Sequence, residues 1–129
     1  MKRRRPPKPT EAELAILRVL WSIGPSTVRE VWERLTESQR TGYTTVLKTM
    51  QIMFEKDLLE RDESERSHVY RPSRTEEQTQ KQVVGHLLER VFSGSATKLV
   101  MQALSAKKAS SAELAEIRKL LDEMEGRKS

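Results

Sequence analysis

Thr44, Thr45, Lys48, Thr49 and Gln51 lie close together in the chain and form an unusual set. They are short hydroxyls, one cation and one amide, where an ordinary exposed helix face mixes Glu with Lys. Threonine methyls pack on thymine methyls, and hydroxyl, amide and ammonium groups bond base edges or phosphates. The alternative is plainer: a threonine pair that caps a helix and a lysine that is only solvated. Ser26, Thr27 and Arg29 begin another periodic stretch, where backbone N–H groups and the helix dipole favour a phosphate. Arg66, Ser67 and His68 sit in a polar turn. Arg66 is a phosphate contact or a solvated cation, and His68 is a ligand or a strand residue packed on its hairpin. Tyr43, just ahead of the threonines, completes this set of candidate duplex contacts.

Other chemistries lack their residues. The 129-residue chain has no cysteine, which removes disulfides, thiolate metal sites and cysteine nucleophiles together. Its two histidines, His68 and His86, share no motif spacing. No Gly-rich phosphate loop, His-Glu-x-x-His pair or nucleophile elbow occurs. The reading is therefore not an enzyme, with no catalytic residue, metal or cofactor. No apolar run approaches the ~20 residues of a membrane span, and no apolar stretch follows the basic N-terminus as in a secretory signal. A cytoplasmic location is the expectation.

The net charge of +5 equals the charge of Lys2, Arg3, Arg4, Arg5 and Lys8, so the rest of the chain balances to zero. Contact with nucleic acid then needs this arm plus a locally basic face. Residues 1–9 read as a disordered arm, either lying on phosphates or in a minor groove, or serving as a solubilising tail.

The elements that must position these groups follow from periodicity. Thr10 and Glu13 have capping-box spacing, and Leu14, Leu17 and Trp21 with Ile16, Leu20 and Ile23 predict a first helix stopped at Gly24-Pro25. Ser26 is the expected cap of a second helix, on which Val28, Val31, Trp32 and Leu35 form an apolar stripe, ending near Glu37. A third helix is expected from Tyr43 to Lys56, burying Val46, Met50, Met53 and Phe54 and leaving the threonine face outside. Two strands, Leu58 to Arg61 and Val69 to Arg71, flank a polar turn and make a hairpin that ends at Pro72. Helices follow from about Thr75, around Leu99 to Leu104, and from Ser110 or Ser111, with a break at Ser93-Gly94-Ser95.

Three helices and then a hairpin is the order of a winged helix-turn-helix, whose reading helix enters the major groove. The expected fold is mainly α with a small β wing: a winged-helix DNA-binding domain over 10–73 and a helical dimerisation domain over 74–129. Leu87, Leu88, Val91, Phe92, Leu99, Leu114, Ile117 and Leu121 are the candidate dimer core, unless those stripes close on a monomer. A twofold dimer doubles the contacts and matches a palindromic operator in double-stranded DNA. A winged helix used as a protein-interaction module, without specific DNA binding, is the alternative.

Four segments resemble the penicillinase repressor family of winged-helix transcriptional repressors. They are Glu11-Ala12-Glu13-Leu14-Ala15-Ile16-Leu17 with Leu20-Trp21, Tyr43-Thr44-Thr45-Val46-Leu47-Lys48-Thr49-Met50, Glu55-Lys56-Asp57-Leu58-Leu59 and His68-Val69-Tyr70-Arg71-Pro72. The resemblance covers about residues 9 to 125. It implies a homodimeric repressor of a palindromic operator. In β-lactam-responsive members it also implies release when a membrane sensor metalloprotease cuts the C-terminal domain. The chain departs from that pattern in places. Gln102-Ala103 stands where Asn-Phe would mark the cut, and Asp57 replaces a usual glycine. Ile52 stands where arginine is common, and the absence of cysteine excludes the copper-responsive branch's inducer.

Overall fold

The structure of the protein, a computed structural model, describes residues 7–127. Most of the basic arm, residues 1–6, lies outside the described residues, and so does its suggested contact with DNA.

Among the described residues eight elements follow one another: α1 (Glu11–Ile23), α2 (Val28–Leu35), α3 (Tyr43–Glu55), β1 (Leu59–Asp62), β2 (Val69–Pro72), α4 (Glu76–Arg90), α5 (Ala96–Ala106) and α6 (Ser111–Gly126). This is the mainly α fold with a β wing that the periodicities predict. The Thr10 hydroxyl accepts the Glu13 N–H at 3.2 Å and the Glu13 carboxylate accepts the Thr10 N–H at 2.9 Å, so α1 starts on a closed capping box. Gly24, at φ 89°, ends α1 in a conformation that costs a side-chain-bearing residue.

The cap of α2 is Thr27, not Ser26 as the sequence reading has it. Ser26 is pulled into the sheet: its N–H donates to the Tyr70 carbonyl at 3.0 Å and its carbonyl accepts the Tyr70 N–H at 2.8 Å. Thr27 is then the first residue free to turn into a helix, and Glu30 three positions on closes its capping box. Helix α2 stops at Leu35, short of Glu37, in a turn over Thr36–Ser38.

Helix α3 ends on Asp57, whose φ of 65° is left-handed. The Leu58 N–H reaches the Met53 carbonyl at 2.8 Å and the Asp57 N–H reaches the Phe54 carbonyl at 3.1 Å. This is a Schellman closure with an aspartate in the position glycine usually takes. It turns the chain directly into β1. The hairpin is antiparallel, with Leu59 opposite Pro72, Glu60 opposite Arg71, Arg61 opposite Tyr70 and Asp62 opposite Val69.

The core is made by α1, α2, α3 and the hairpin. Leu17, Leu20, Val31, Met50, Met53 and Leu59 are fully buried at its centre. Trp21 and Trp32 stand half-buried at the margin, where each indole N–H finds a backbone carbonyl, Arg74 at 3.2 Å and Thr41 at 2.9 Å.

The chain divides into two compact units, Met1–Val84 and Gly85–Ser129. They part within α4, beyond residue 73 where the sequence reading closes its first domain. Thr79, in the first half of α4, is buried. In the second unit the turn after α4 runs through Ser93 and Gly94, both at positive φ, at the expected break. Ser95 caps α5 and Ser110 caps α6 with a full capping box. Among the described residues of this unit no side chain is buried.

Candidate nucleic-acid interface

Helix α3 sorts its residues by face. Val46, Met50 and Met53 are buried, and Thr44, Thr45, Lys48, Gln51 and Ile52 are exposed. Thr49 is half-buried and its hydroxyl donates to the Thr45 carbonyl at 2.8 Å, so only its oxygen lone pairs remain on offer. Gly42 stands at the N-cap without a side-chain bond, so the threonines do not cap the helix. The solvent face carries hydrogen-bond donors and acceptors, with Ile52, 41% exposed, as an apolar member.

Arg29 is mounted on aromatic rings. Its guanidinium carbon lies 5.9 Å from the Trp32 ring and 5.8 Å from the Tyr43 ring. The two rings meet edge to face, 5.9 Å apart at 85°. Such contacts orient a cation and leave its N–H donors free, worth roughly 0.5–1 kcal/mol at exposed sites. The Trp32–Thr41 hydrogen bond anchors the same ring to the segment leading into α3. Arg29 is thereby held beside the first turn of α3.

Ser26 is placed elsewhere. It is buried, its hydroxyl donates to the Gly24 carbonyl at 2.7 Å, and its backbone is committed to Tyr70. A duplex would find no free group there, which corrects its inclusion among the contacts. Thr27 and Arg29 remain at that end of α2.

Arg66 and Ser67 are exposed in the wing turn, and His68 is half-buried at its foot. An open cleft of about 440 Å³ brings these groups to Thr27 and Arg29 of α2 and Tyr43 and Gln51 of α3. Three elements distant in sequence thus converge on one basic concavity. Arg61 also lines it and was missed by sequence reasoning. Within a strand it looked like one more alternating polar residue, and only the register shows it facing the same way as Tyr70.

A second missed group supports the frame. Glu13 is 3% exposed, and the Lys56 ammonium meets its carboxylate at 2.8 Å, tying the start of α1 to the end of α3. Burial alone pushes the Glu13 carboxyl up, but the bonds from Lys56 and from the Thr10 backbone outweigh it. The carboxyl is held below its ordinary value.

The candidate dimer residues lie in the second unit. Leu87, Val91, Leu114 and Leu121 are exposed, Val91 to 63%, while Leu88, Phe92, Leu99 and Ile117 are half-buried. Val100, Met101, Leu104, Leu120 and Met124 extend this exposed apolar set. Gln102 and Ala103, the candidate cut, are exposed on α5. Among the described residues no helix is long and apolar enough to cross a membrane.

The chain is 36% identical over 63 residues to the transcriptional regulator BlaI of Mycobacterium tuberculosis, in both strain CDC 1551 / Oshkosh and strain ATCC 25618 / H37Rv. The matched stretch is 48% of this chain and 46% of each relative, so the chain matches about half the length of these curated proteins. The family model described as penicillinase repressor matches residues 9–123, through both units. The chain belongs to the penicillinase repressor family.

Proposed function

We propose that the protein is a cytoplasmic transcriptional repressor that reads a palindromic operator in double-stranded DNA as a homodimer. The observation that carries this reading is the exposed Thr44–Thr45–Lys48 face of α3, set beside a cleft holding Arg29, Arg66, Ser67 and His68. A helix of this width fits the major groove. Lys48, Thr44 and Thr45 meet base edges or the adjoining phosphates, with Tyr43 and Thr49 at the margins. Thr27 and Arg29 hold one phosphate, and Arg66, Ser67 and His68 of the wing hold another. Membership of a repressor family supports the same direction.

The second unit supplies the twofold. Its helices are capped, yet none of its described side chains is buried. A short helical segment with its apolar residues in water lacks the burial that stabilises a fold. A second copy, packed on Leu87, Leu88, Val91, Phe92, Leu99, Leu114, Ile117 and Leu121, would provide it. Release follows when a membrane sensor metalloprotease cuts exposed α5 at Gln102–Ala103.

A gel shift across a salt series tests this. Specific, salt-dependent duplex binding is expected. Replacing Lys48 with alanine should lower the salt slope by about one unit if the ammonium meets phosphate. It should cut discrimination by ~1–3 kcal/mol if it reads a base. A wild-type chain that binds no duplex at low salt would leave the protein-interaction module as the reading.

A further inference from the structure

Three arginines line the cleft, and they are not equivalent. Arg29 rests on two rings and Arg66 is exposed, and neither has a carboxylate partner among the described residues. Arg61 has three partners. Its guanidinium carbon lies 3.9 Å from the centre of the Phe54 ring of α3, its Nε–H donates to the Glu63 carboxylate, and its Nη1 lies 3.5 Å from the Tyr70 hydroxyl. The register explains why. Arg61 stands opposite the buried Tyr70, on the hairpin face that also carries buried Leu59. The other face is given to Glu60, whose carboxylate takes Arg71 across the strands at 2.8 Å. A charged group on the inward face of a strand is unfavourable unless its charge and donors are met. Here the charge is met by a ring from the reading helix and a carboxylate from the wing turn.

We propose that Arg61 is a positioning residue: clasped between Phe54 of α3 and Glu63 of the wing, it sets the pose of the wing against the reading helix and does not itself bind DNA. The inference rests on the duplex-reading proposal above. Its charge is already matched by Glu63, so Arg61 adds nothing to the count of phosphates neutralised, and the electrostatic footprint in the cleft is left to Arg29 and Arg66. The wing carries Asp62 at the end of β1, and Glu63 and Glu65 in its turn, against Arg66. Such a turn is repelled by a duplex unless something fixes where Arg66 and Ser67 point, and the clasp does so. Residues held to one geometry by packing give more selective sites than freely moving ones.

Two variants, Arg61→Met and Glu63→Gln, test the clasp by two readouts. The first is amide exchange over residues 62–69 in the free protein. The second is salt-dependent affinity for a duplex selected by the wild-type chain from a random pool, against a mixed-sequence duplex. With Arg61→Met, wing exchange should quicken about tenfold. Affinity for the selected duplex should fall about tenfold with an unchanged salt slope. A slope lowered by about one unit would mean a direct phosphate contact and would overturn the proposal. Glu63→Gln separates the ideas by sign. Removing an anion from a DNA-facing turn strengthens binding to every duplex by charge alone. Loss of the clasp weakens binding to the selected duplex. Tighter binding by Glu63→Gln therefore overturns the proposal, and should Arg61→Met fail to fold, this variant decides. If the wild-type chain binds no duplex, the proposed function fails, and the exchange readout still decides the clasp: unchanged wing exchange in both variants refutes it.

Discussion

The first unit and the second are both helical, both well capped, and opposite in how they treat their apolar residues. In the first, twelve apolar side chains from Ile16 to Tyr70 are buried in one cluster contributed by α1, α2, α3 and the hairpin. In the second, leucines, valines and methionines of comparable spacing stand in water. Local encoding is equal on the two sides: Thr10, Thr27 and Ser110 each close a capping box. What differs is whether the chain meets itself. Helix α3 has α1, α2 and β1 to pack against, whereas α5 and α6 carry stripes with no buried member. Apolar periodicity therefore signals that a face will be covered, and says nothing about whose atoms cover it.

This contrast can be broken at four points, from the largest expected effect to the smallest. Met53→Ala deletes a fully buried side chain at the centre of the first unit and should lower unfolding free energy by about 2–5 kcal/mol. Denaturant titrations should give the same loss at any protein concentration. Val91→Glu puts a charge on the face assigned to the second copy. It should weaken self-association about a hundredfold by sedimentation equilibrium, leaving the first unit's near-ultraviolet signal intact. A dimer undisturbed by that change would mean the partner packs elsewhere.

Lys56→Met removes the partner of buried Glu13 and should cost roughly 1–3 kcal/mol at neutral pH. The pH dependence has a definite sign. The folded Glu13 carboxyl is lowered below its ordinary value of 4.5, so its contribution is fully present above about that pH. It is lost as pH falls further, through the folded value. The wild-type urea midpoint should drop on acidification through that range, and Glu13→Gln should flatten the drop. The smallest effect belongs to Ser110→Ala, which opens the capping box of α6 and should cost about 1 kcal/mol. That loss should appear only in the C-terminal transition, seen as faster amide exchange over residues 111–116.

Much of the site is legible as sequence. The threonine face of α3, its buried methionines and the hairpin follow from side-chain period, while the left-handed Asp57 stands where the family resemblance implies a glycine. Serine is a good cap by type, so the sequence points to Ser26 where the structure caps α2 with Thr27. Nothing local reveals that the Ser26 backbone has already been taken by Tyr70, forty-four positions away. Arg61 escapes a sequence reading for a related reason. A polar residue in a strand or on an outer helix face looks like any other until a neighbour from elsewhere makes it part of a cleft.

What the chain determines alone is short-range: where helices begin and stop, which face of each is apolar, and that the cationic arm sits on a body of balanced charge. These depend on hydrogen bonds and rotamers spanning a few residues. Tertiary structure decides which polar groups share a surface. It brings Arg29, Tyr43, Gln51 and His68 to one cleft, sets Arg61 over Phe54, and buries Glu13 with Lys56. Each of those depends on the distance between atoms far apart in sequence, and such distances exist only once the core has closed.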